Sequence, residues 1–432
     1  MDRSFRIACL LASAVALLTP VSAPAASSAA SDIPSDILLT WVRTEGASEN
    51  DGGGAAPRLL TPAFADREGR PLYTYAKDTP GRSTCAAECL ELWKPAIATP
   101  GARASGDWSL VTRDDGTRQW AFRGQPLYSY AEEAAWEDDP YYLNGDDRRD
   151  PVDNMQPVAG HGVDGVWSVA TADAAKWLKM PAGFSVLEIP VGPGQVVITP
   201  RNEPLYVFDR KSEEERTLPK EFKPYLASVL DQPVGDFTVV TRYDGGRQWA
   251  YQGKALYTHA LDYIPGDLNG KGVAAGMEPA FAFRYFMPPQ VETEKDEFRG
   301  GRLIEASTGQ ILYMRDRHYY GAVSFYVRPQ GRGAPLIGKT LGTRGCDTEC
   351  EREWTPFLAP RDAKPSGFWT IVERPDKRRQ WAYRNFPLYT HPSEPPGSAF
   401  GADTWNVKIN HLDGNDAPPE FSYGLVWRVA VP

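Results

Sequence analysis

The stretch Trp108-Ser-Leu-Val-Thr-Arg-Asp-Asp-Gly-Thr-Arg-Gln-Trp120-Ala-Phe-Arg-Gly-Gln-Pro-Leu-Tyr128 decides the architecture. It returns as Phe237-Thr-Val-Val-Thr-Arg-Tyr-Asp-Gly-Gly-Arg-Gln-Trp249-Ala-Tyr-Gln-Gly-Lys-Ala-Leu-Tyr257. It returns again from Trp369 through Arg379-Gln380-Trp381-Ala382-Tyr383 to Pro387-Leu388-Tyr389. Apolar residues alternate ahead of an Asp-Gly turn, the pattern of a hairpin. A second strand carries Arg-Gln-Trp-Ala-aromatic, and a second turn leads to a strand ending in Leu-Tyr. The block therefore predicts a three-stranded antiparallel meander, present three times.

A shorter half-block precedes each copy: Pro71-Leu72-Tyr73-Thr74-Tyr75, Pro204-Leu205-Tyr206-Val207-Phe208 and Ile311-Leu312-Tyr313. Each follows an apolar strand, at Leu59-Leu60, Val196-Val197-Ile198 and Leu303-Ile304. The copies also close alike. A Leu-Asn/Asp-Gly turn recurs at Leu143-Asn144-Gly145, Leu268-Asn269-Gly270 and Leu412-Asp413-Gly414. A final strand follows, at Val166–Val169, Phe281–Arg284 and Val426–Val429. We place the copies at 36–172, 183–288 and 290–432.

The predicted fold is all-β, three tandem repeats of short antiparallel strands. A single ring of six propeller-like modules is the alternative. The Leu-Tyr modules start at 71, 126, 204, 255, 311 and 387, so their intervals run from 51 to 78 residues. That spacing is long and uneven for blades, and the identity of every second module favours three paired units.

Bulk composition agrees. The 432 residues exceed one ordinary core. Pro (38) and Gly (39) are abundant and aromatics reach 12%, which suits short strands and many turns. The net charge is -9, with no long basic run, which argues against a nucleic-acid footprint. Residues 1–25 read as a signal peptide. Arg3 and Arg6 precede the apolar run Ile7–Leu18, and Ala23-Pro24-Ala25 fits a cleavage site. No later segment is apolar enough for a membrane span. The expected location of the mature chain is periplasmic or secreted. No cysteine is placed for lipid attachment, since Cys9 lies inside the apolar run.

The motifs resemble those of a bacterial secreted-repeat lipoprotein family. The resemblance rests on Leu72-Tyr73-Thr-Tyr-Ala-Lys-Asp78, on Ser83-x-Cys85-x3-Cys89-x3-Trp93-x-Pro95, and on the Asp-Gly…Arg-Gln-Trp-Ala-Tyr block. It covers nearly the whole mature chain. It implies export and tandem repeats, and no established activity. The Tyr-x4-Asp signature is kept at Tyr73/Asp78 and Tyr257/Asp262. Tyr128 and Tyr389 have Glu133 and Glu394 instead, while Tyr206 is followed by Lys211 and Tyr313 by His318. The middle copy lacks both cysteines and shows Phe222-Lys223-Pro224 in place of Trp93-Lys94-Pro95.

Four cysteines follow the leader, and their even number in an exported chain favours disulfides within each Cys-x3-Cys loop, Cys85/Cys89 and Cys346/Cys350. Copper(I) binding, thiol exchange and cross-pairing between the copies are the competing readings. The repeated Tyr73, Asp78, Trp120, Tyr128, Trp249, Tyr257, Asp262, Trp381 and Tyr389 are the candidate ligand-binding residues; core packing is the competing reading for the rings. His259 and His391 stand where the first copy has Tyr130, an aromatic-sized packing position. Arg118, Arg247 and Arg379 could stack or pair with the repeat acids. The acidic stretches Glu137–Asp139 and Asn144–Asp147 carry oxygen ligands but not in EF-hand spacing. No catalytic motif is present, no metal site and no cofactor is expected, and the partner is unknown, an envelope protein or a small molecule. Three functions compete: a non-catalytic exported binding or scaffold protein, a metal- or redox-linked envelope protein using the cysteine loops, and a carbohydrate-binding or carbohydrate-active protein.

Overall fold

The computed structural model describes residues 32–43, 60–133, 158–189, 194–208, 217–295, 301–319, 346, 350–384, 386–401, 405–409 and 423–431. The leader, the Gly-rich stretch 50–56, both acidic stretches, Lys211, His411 and the turns at 143–145 and 412–414 lie outside them. The architecture is all-β, built from several antiparallel sheets. Among the described residues the one α-helix is the four-residue turn Cys89–Leu92.

The predicted meander forms in each copy. Strands Trp108–Thr112, Arg118–Phe122 and Gln125–Pro126 run antiparallel in the first. Phe237–Thr241, Arg247–Tyr251 and Lys254–His259 do so in the second, and Trp369–Glu373, Arg379–Tyr383 and Phe386–Thr390 in the third. The first turn is an Asx turn: Thr117 N–H donates to Asp115 Oδ1 at 2.9 Å and Gly246 N–H to Asp244 Oδ1 at 2.9 Å. It needs a left-handed residue, met by Gly116 and Gly245 (φ +80° and +82°) but by Lys377 (φ +66°) in the third copy.

The half-block strand completes each sheet. It pairs with the third meander strand, which in the first copy resumes after Leu127 as Tyr128–Tyr130, so that the two repeat tyrosines face each other: Tyr73 with Tyr128, Tyr206 with Tyr257, Tyr313 with Tyr389. The six Leu-Tyr modules thus join two by two, one of each type, into three sheets. This register joins the modules within each copy and not in a ring of six blades.

The closing strand docks on the other edge of the half-block. Val169 lies opposite Tyr73 and Val429 opposite Tyr313, as the sequence suggests. In the middle copy the docking strand is Met277–Pro279, with Pro279 opposite Tyr206, and not Phe281–Arg284. The latter pairs instead with Gly194–Ile198. An alanine turns the chain from one sheet to the next. Ala280 donates to Leu205 O at 2.7 Å and accepts from Val197 N at 2.9 Å. Ala170 and Ala430 make the same bonds to Leu72 and Phe64 and to Leu312 and Leu303. Met277 therefore holds the place of Trp167 and Trp427.

One hydrophobic cluster runs through all three copies, from Phe64, Trp108 and Phe122 to Phe283 and Tyr285 and on to Phe368, Trp369 and Trp381. Rings cross the boundaries directly: Phe122 meets Phe283 at 6.3 Å, and Tyr285 meets Phe368 at 5.4 Å. The segment Asp32–Leu39 is wedged into this junction. Asp32 bonds Arg284 N–H through its carboxylate (2.8 Å). Leu39 N–H donates to Gly367 O (2.8 Å), and Gly367 N–H to Ile37 O (3.1 Å). Asp36 accepts from Thr99 N and Oγ1 (2.8 Å each to Oδ2), from Trp120 Nε1 (3.2 Å) and from Arg67 (2.6 Å). One short segment thus touches every copy.

Candidate functional site: the crossed tyrosine and carboxylate pairs

Strand alternation would put each Tyr-x4-Asp pair on its own strand, and the sequence suggests that tyrosine and acid act together. The structure crosses them. Because Tyr73 and Tyr128 face each other on antiparallel strands, the acid that follows one tyrosine folds back beside the other. Tyr128 Oη donates to Asp78 Oδ2 at 2.8 Å, and Tyr73 Oη donates to Glu133 Oε2. The middle copy keeps one such bond, Tyr206 to Asp262 (2.8 Å), and the third keeps Tyr313 to Glu394 (2.7 Å). Tyr389, opposite Tyr313, accepts instead from the backbone N–H of Cys346 at 2.8 Å. The Glu133 and Glu394 that break the motif at Tyr128 and Tyr389 are the carboxylates that serve Tyr73 and Tyr313.

A glycine seals each pair. Gly160 donates to Tyr73 Oη (3.3 Å), Gly270 to Tyr206 Oη (3.1 Å), and Gly401 to Glu394 Oε1 (3.1 Å). Sequence matching aligned Gly270 with Gly145 and Gly414; the glycines packed on the equivalent tyrosines are Gly160 and Gly401. Below lies an aromatic layer. Trp93 stacks on Trp167 at 3.6 Å, and Trp354 on Trp427 at 3.7 Å. The middle copy has Phe222 and Met277 there. The disulfides Cys85–Cys89 and Cys346–Cys350 pack against these layers. The paired tryptophans and the disulfide are thus present together in two copies and absent together from the third. Tyr130, His259 and His391 fill one packing position, against Trp93 (4.5 Å), Phe222 (4.8 Å) and Trp354 (4.9 Å).

All nine candidate ligand-binding residues are buried: Tyr73, Asp78, Trp120, Tyr128, Trp249, Tyr257, Asp262, Trp381 and Tyr389. Gln119, Gln248 and Gln380 beside the tryptophans are buried as well, and their role is not evident from residue type. Each donates from Nε2 to the carbonyl of the next strand, at Leu127, Leu256 and Leu388 (2.8, 2.7 and 2.7 Å). Each accepts from an arginine before the first turn, Arg113, Arg242 or Arg374 (2.7, 3.2 and 2.7 Å). This arginine–glutamine clamp satisfies a polar pair inside the sheet. Arg247 and Arg379, expected to stack or pair with the repeat acids, instead cap loop carbonyls, Asp231 O at 2.9 Å and Ala363 O at 2.7 Å. Among the described residues no three His, Cys, Asp or Glu side chains gather to hold a metal ion.

Burial and the facing carboxylates disfavour tyrosinate. Desolvation, then Glu133, pushes Tyr73 far above the ordinary tyrosine range; desolvation and Asp262 do so for Tyr206, and desolvation and Glu394 for Tyr313. Tyr128 is pushed up to about 12 by desolvation and Asp78, against the opposing bond to Ser83. A raised folded pKa contributes stability that is whole below the unfolded value near 10 and lost as pH rises through the folded one. The protein is therefore expected to unfold in alkali from about pH 10 upward. Tyrosinate absorbance of these residues should appear only together with loss of the near-ultraviolet dichroism. Early titration of most tyrosines with the fold intact would refute the pairing.

A family model described as a secreted repeat of unknown function matches three stretches, residues 62–97, 109–139 and 238–279. The first two hold Tyr73 and Asp78, then Gln119, Tyr128 and Glu133; the third holds Gln248, Tyr257 and Asp262. No curated protein matches the chain, and no solved structure does. Among the described residues no helix is long and apolar enough to cross a membrane.

Proposed function

We propose that this chain, which carries the secreted repeat of unknown function in tandem, is an exported, non-catalytic binding scaffold of the bacterial envelope, freed from its leader after residue 25. On this reading the units 36–172, 183–288 and 290–432 have divided their labour, and the middle one makes the contact. One observation carries the proposal. Of the twelve exposed large apolar side chains among the described residues, eight lie in the middle copy. Val229, Leu230 and Tyr263 are 81, 84 and 77% exposed, with Leu226, Leu261 and Ile264 beside them in sequence. Clustered exposed apolar residues mark interaction surfaces more often than they occur by accident.

These residues lie on two loops of one sheet. Strand Phe222–Pro224 pairs with Tyr257–His259, so the loops that follow leave opposite ends of one short ladder. Three residues of strand span on the order of 10 Å. Two apolar loops thus flank one short ladder of the sheet that carries the buried clamp. The partner expected for such a surface is an envelope protein with an apolar patch. A carbohydrate ligand would need stacking rings open to solvent, and the register-matched tryptophans and tyrosines are buried.

The test is crosslinking in the intact envelope with wild type and two double variants, Val229→Ser/Leu230→Ser and Tyr263→Ser/Ile264→Ser. Exposed substitutions should leave stability within about 0.5 kcal/mol. Loss of central apolar contacts should weaken a crosslinked partner at least about 30-fold, the equivalent of roughly 2 kcal/mol. An unchanged crosslinking pattern in both variants would sink the proposal.

A further inference from the structure

The two disulfides share a sequence pattern but differ in the charged side chain that meets them from the half-block strand. Both loops lie near the clamp arginine of their copy: Arg113 bonds Cys85 O at 3.2 Å, and Arg374 bonds Glu351, next to Cys350. That cation is present in both, and in the third copy it is paired with Glu351. The difference lies on the half-block strand. Asp78 of the first copy accepts from Thr84 N–H at 2.7 Å, one residue from Cys85. It places a carboxylate beside the loop. The third copy has His318 at that motif position. Tyr75 of the first copy stacks on Trp167 at 4.3 Å. Its counterpart, by register against the closing strand, is Arg315. Arg315 is buried, lies over the Trp427 ring, and has Nη1 3.6 Å from Cys350 Sγ.

We infer that Cys346–Cys350 is a reversible thiol–disulfide exchange site for small thiols, whereas Cys85–Cys89 is a fixed crosslink. A guanidinium at a cysteine sulfur stabilises the thiolate and makes that sulfur the better leaving group. In the forward step a small thiolate attacks Cys346 Sγ. The sulfur–sulfur bond breaks, and its electron pair leaves on Cys350 Sγ, facing Arg315. A second small thiolate attacks the small-molecule sulfur of the mixed disulfide, and the electron pair of the broken bond leaves on Cys346 Sγ. Two thiols are oxidised to one disulfide, the cysteine pair is reduced, and the two protons released on one side are taken up on the other. Both cysteines are almost covered, at 7 and 6% exposure, which favours a small thiol over a protein partner. The site is independent of the apolar loops of the middle copy.

The experiment equilibrates the folded protein in glutathione buffers, traps free thiols by alkylation, and reads each pair by peptide mass spectrometry. Cys346–Cys350 should be half-reduced at a [GSH]²/[GSSG] ratio at least tenfold lower than Cys85–Cys89, a potential difference of about 30 mV or more. Arg315→Leu should remove most of that gap, and Arg315→Lys should keep more of it. Asp347 and Glu349, between the cysteines in sequence, are the same in every variant, so the comparison at position 315 isolates the arginine. Equal reduction of both pairs in wild type would overturn the inference, even if the leucine variant failed to fold. Equal shifts for leucine and lysine would also overturn it, by tracing the effect to packing.

Discussion

Asp36→Ala should lower the unfolding free energy by on the order of 3 kcal/mol, and it should weaken the whole molecule rather than the first copy. Three buried or half-buried donors, Thr99 N–H, Thr99 Oγ1 and Trp120 Nε1, lose their acceptor, and Arg67 loses its partner. An unsatisfied buried donor costs more than the bond itself was worth. The wider effect follows from position. Asp36 lies between Ile33, whose carbonyl accepts from Ser366 Oγ, and Leu39, which bonds Gly367. Loosening it frees the segment that joins the first copy to the third and, through Asp32, to the second. Guanidinium unfolding followed by tryptophan fluorescence and by far-ultraviolet dichroism should show one coincident transition in both proteins, with the midpoint lowered in the variant. A new early transition with the main one unmoved would mean that the copies fold separately.

The same residue predicts an acid limb. Burial works against the Asp36 carboxylate, but the bonds from Thr99, Arg67 and Trp120 outweigh it and hold its pKa below the ordinary value. A depressed folded pKa contributes stability that is present above the unfolded value near 3.9 and lost as pH falls through the folded one. Wild type should therefore lose part of its stability below about pH 4, and Asp36→Ala should lack that part.

What the sequence disclosed, and what it did not, follows from the range of the interactions. The meander was legible because alternation and a two-residue second turn are local signals repeated three times, and two of the copies add an Asp-Gly first turn. The paired modules were legible because identity recurs at every second one. The crossed Tyr–carboxylate pairs were not, because antiparallel register joins residues up to 81 positions apart, as in Tyr313 and Glu394. Within one motif, Tyr73 and Asp78 look like partners; across the ladder each belongs to the other strand. Asp36 carried no signal at all, since a lone acid ahead of a strand acquires meaning only when three copies close around it. The middle copy misled the matching of closing strands because Phe281 looks like Trp167, whereas the position belongs to Met277.

Gly270→Val tests the sealed tyrosine pair most severely. Gly270 carries no left-handed backbone, so the cost is one of space. A Cβ there would lie 2.8 Å from Tyr206 Cζ and 2.9 Å from Phe222 Cε1, both ring atoms of buried side chains that cannot swing away. The backbone must retreat, and the bonds from Gly270 to Tyr206 Oη and from Asn269 to Asp262 Oδ1 (2.8 Å) stretch together. Overpacking a filled core costs about 1–3 kcal/mol, and leaving the Tyr206–Asp262 pair short of donors adds roughly 1–3 kcal/mol. Gly253→Val is the control. Its φ is +79° and nothing lies within 4 Å of an added Cβ, so it meets backbone strain alone, about 1–2 kcal/mol. Thermal unfolding should therefore place Gly270→Val well below Gly253→Val, with Gly270→Ala between Gly270→Val and wild type. If the two valine variants unfold together, the glycine is not pressed against the tyrosine, and the crossed pair does not organise the middle copy.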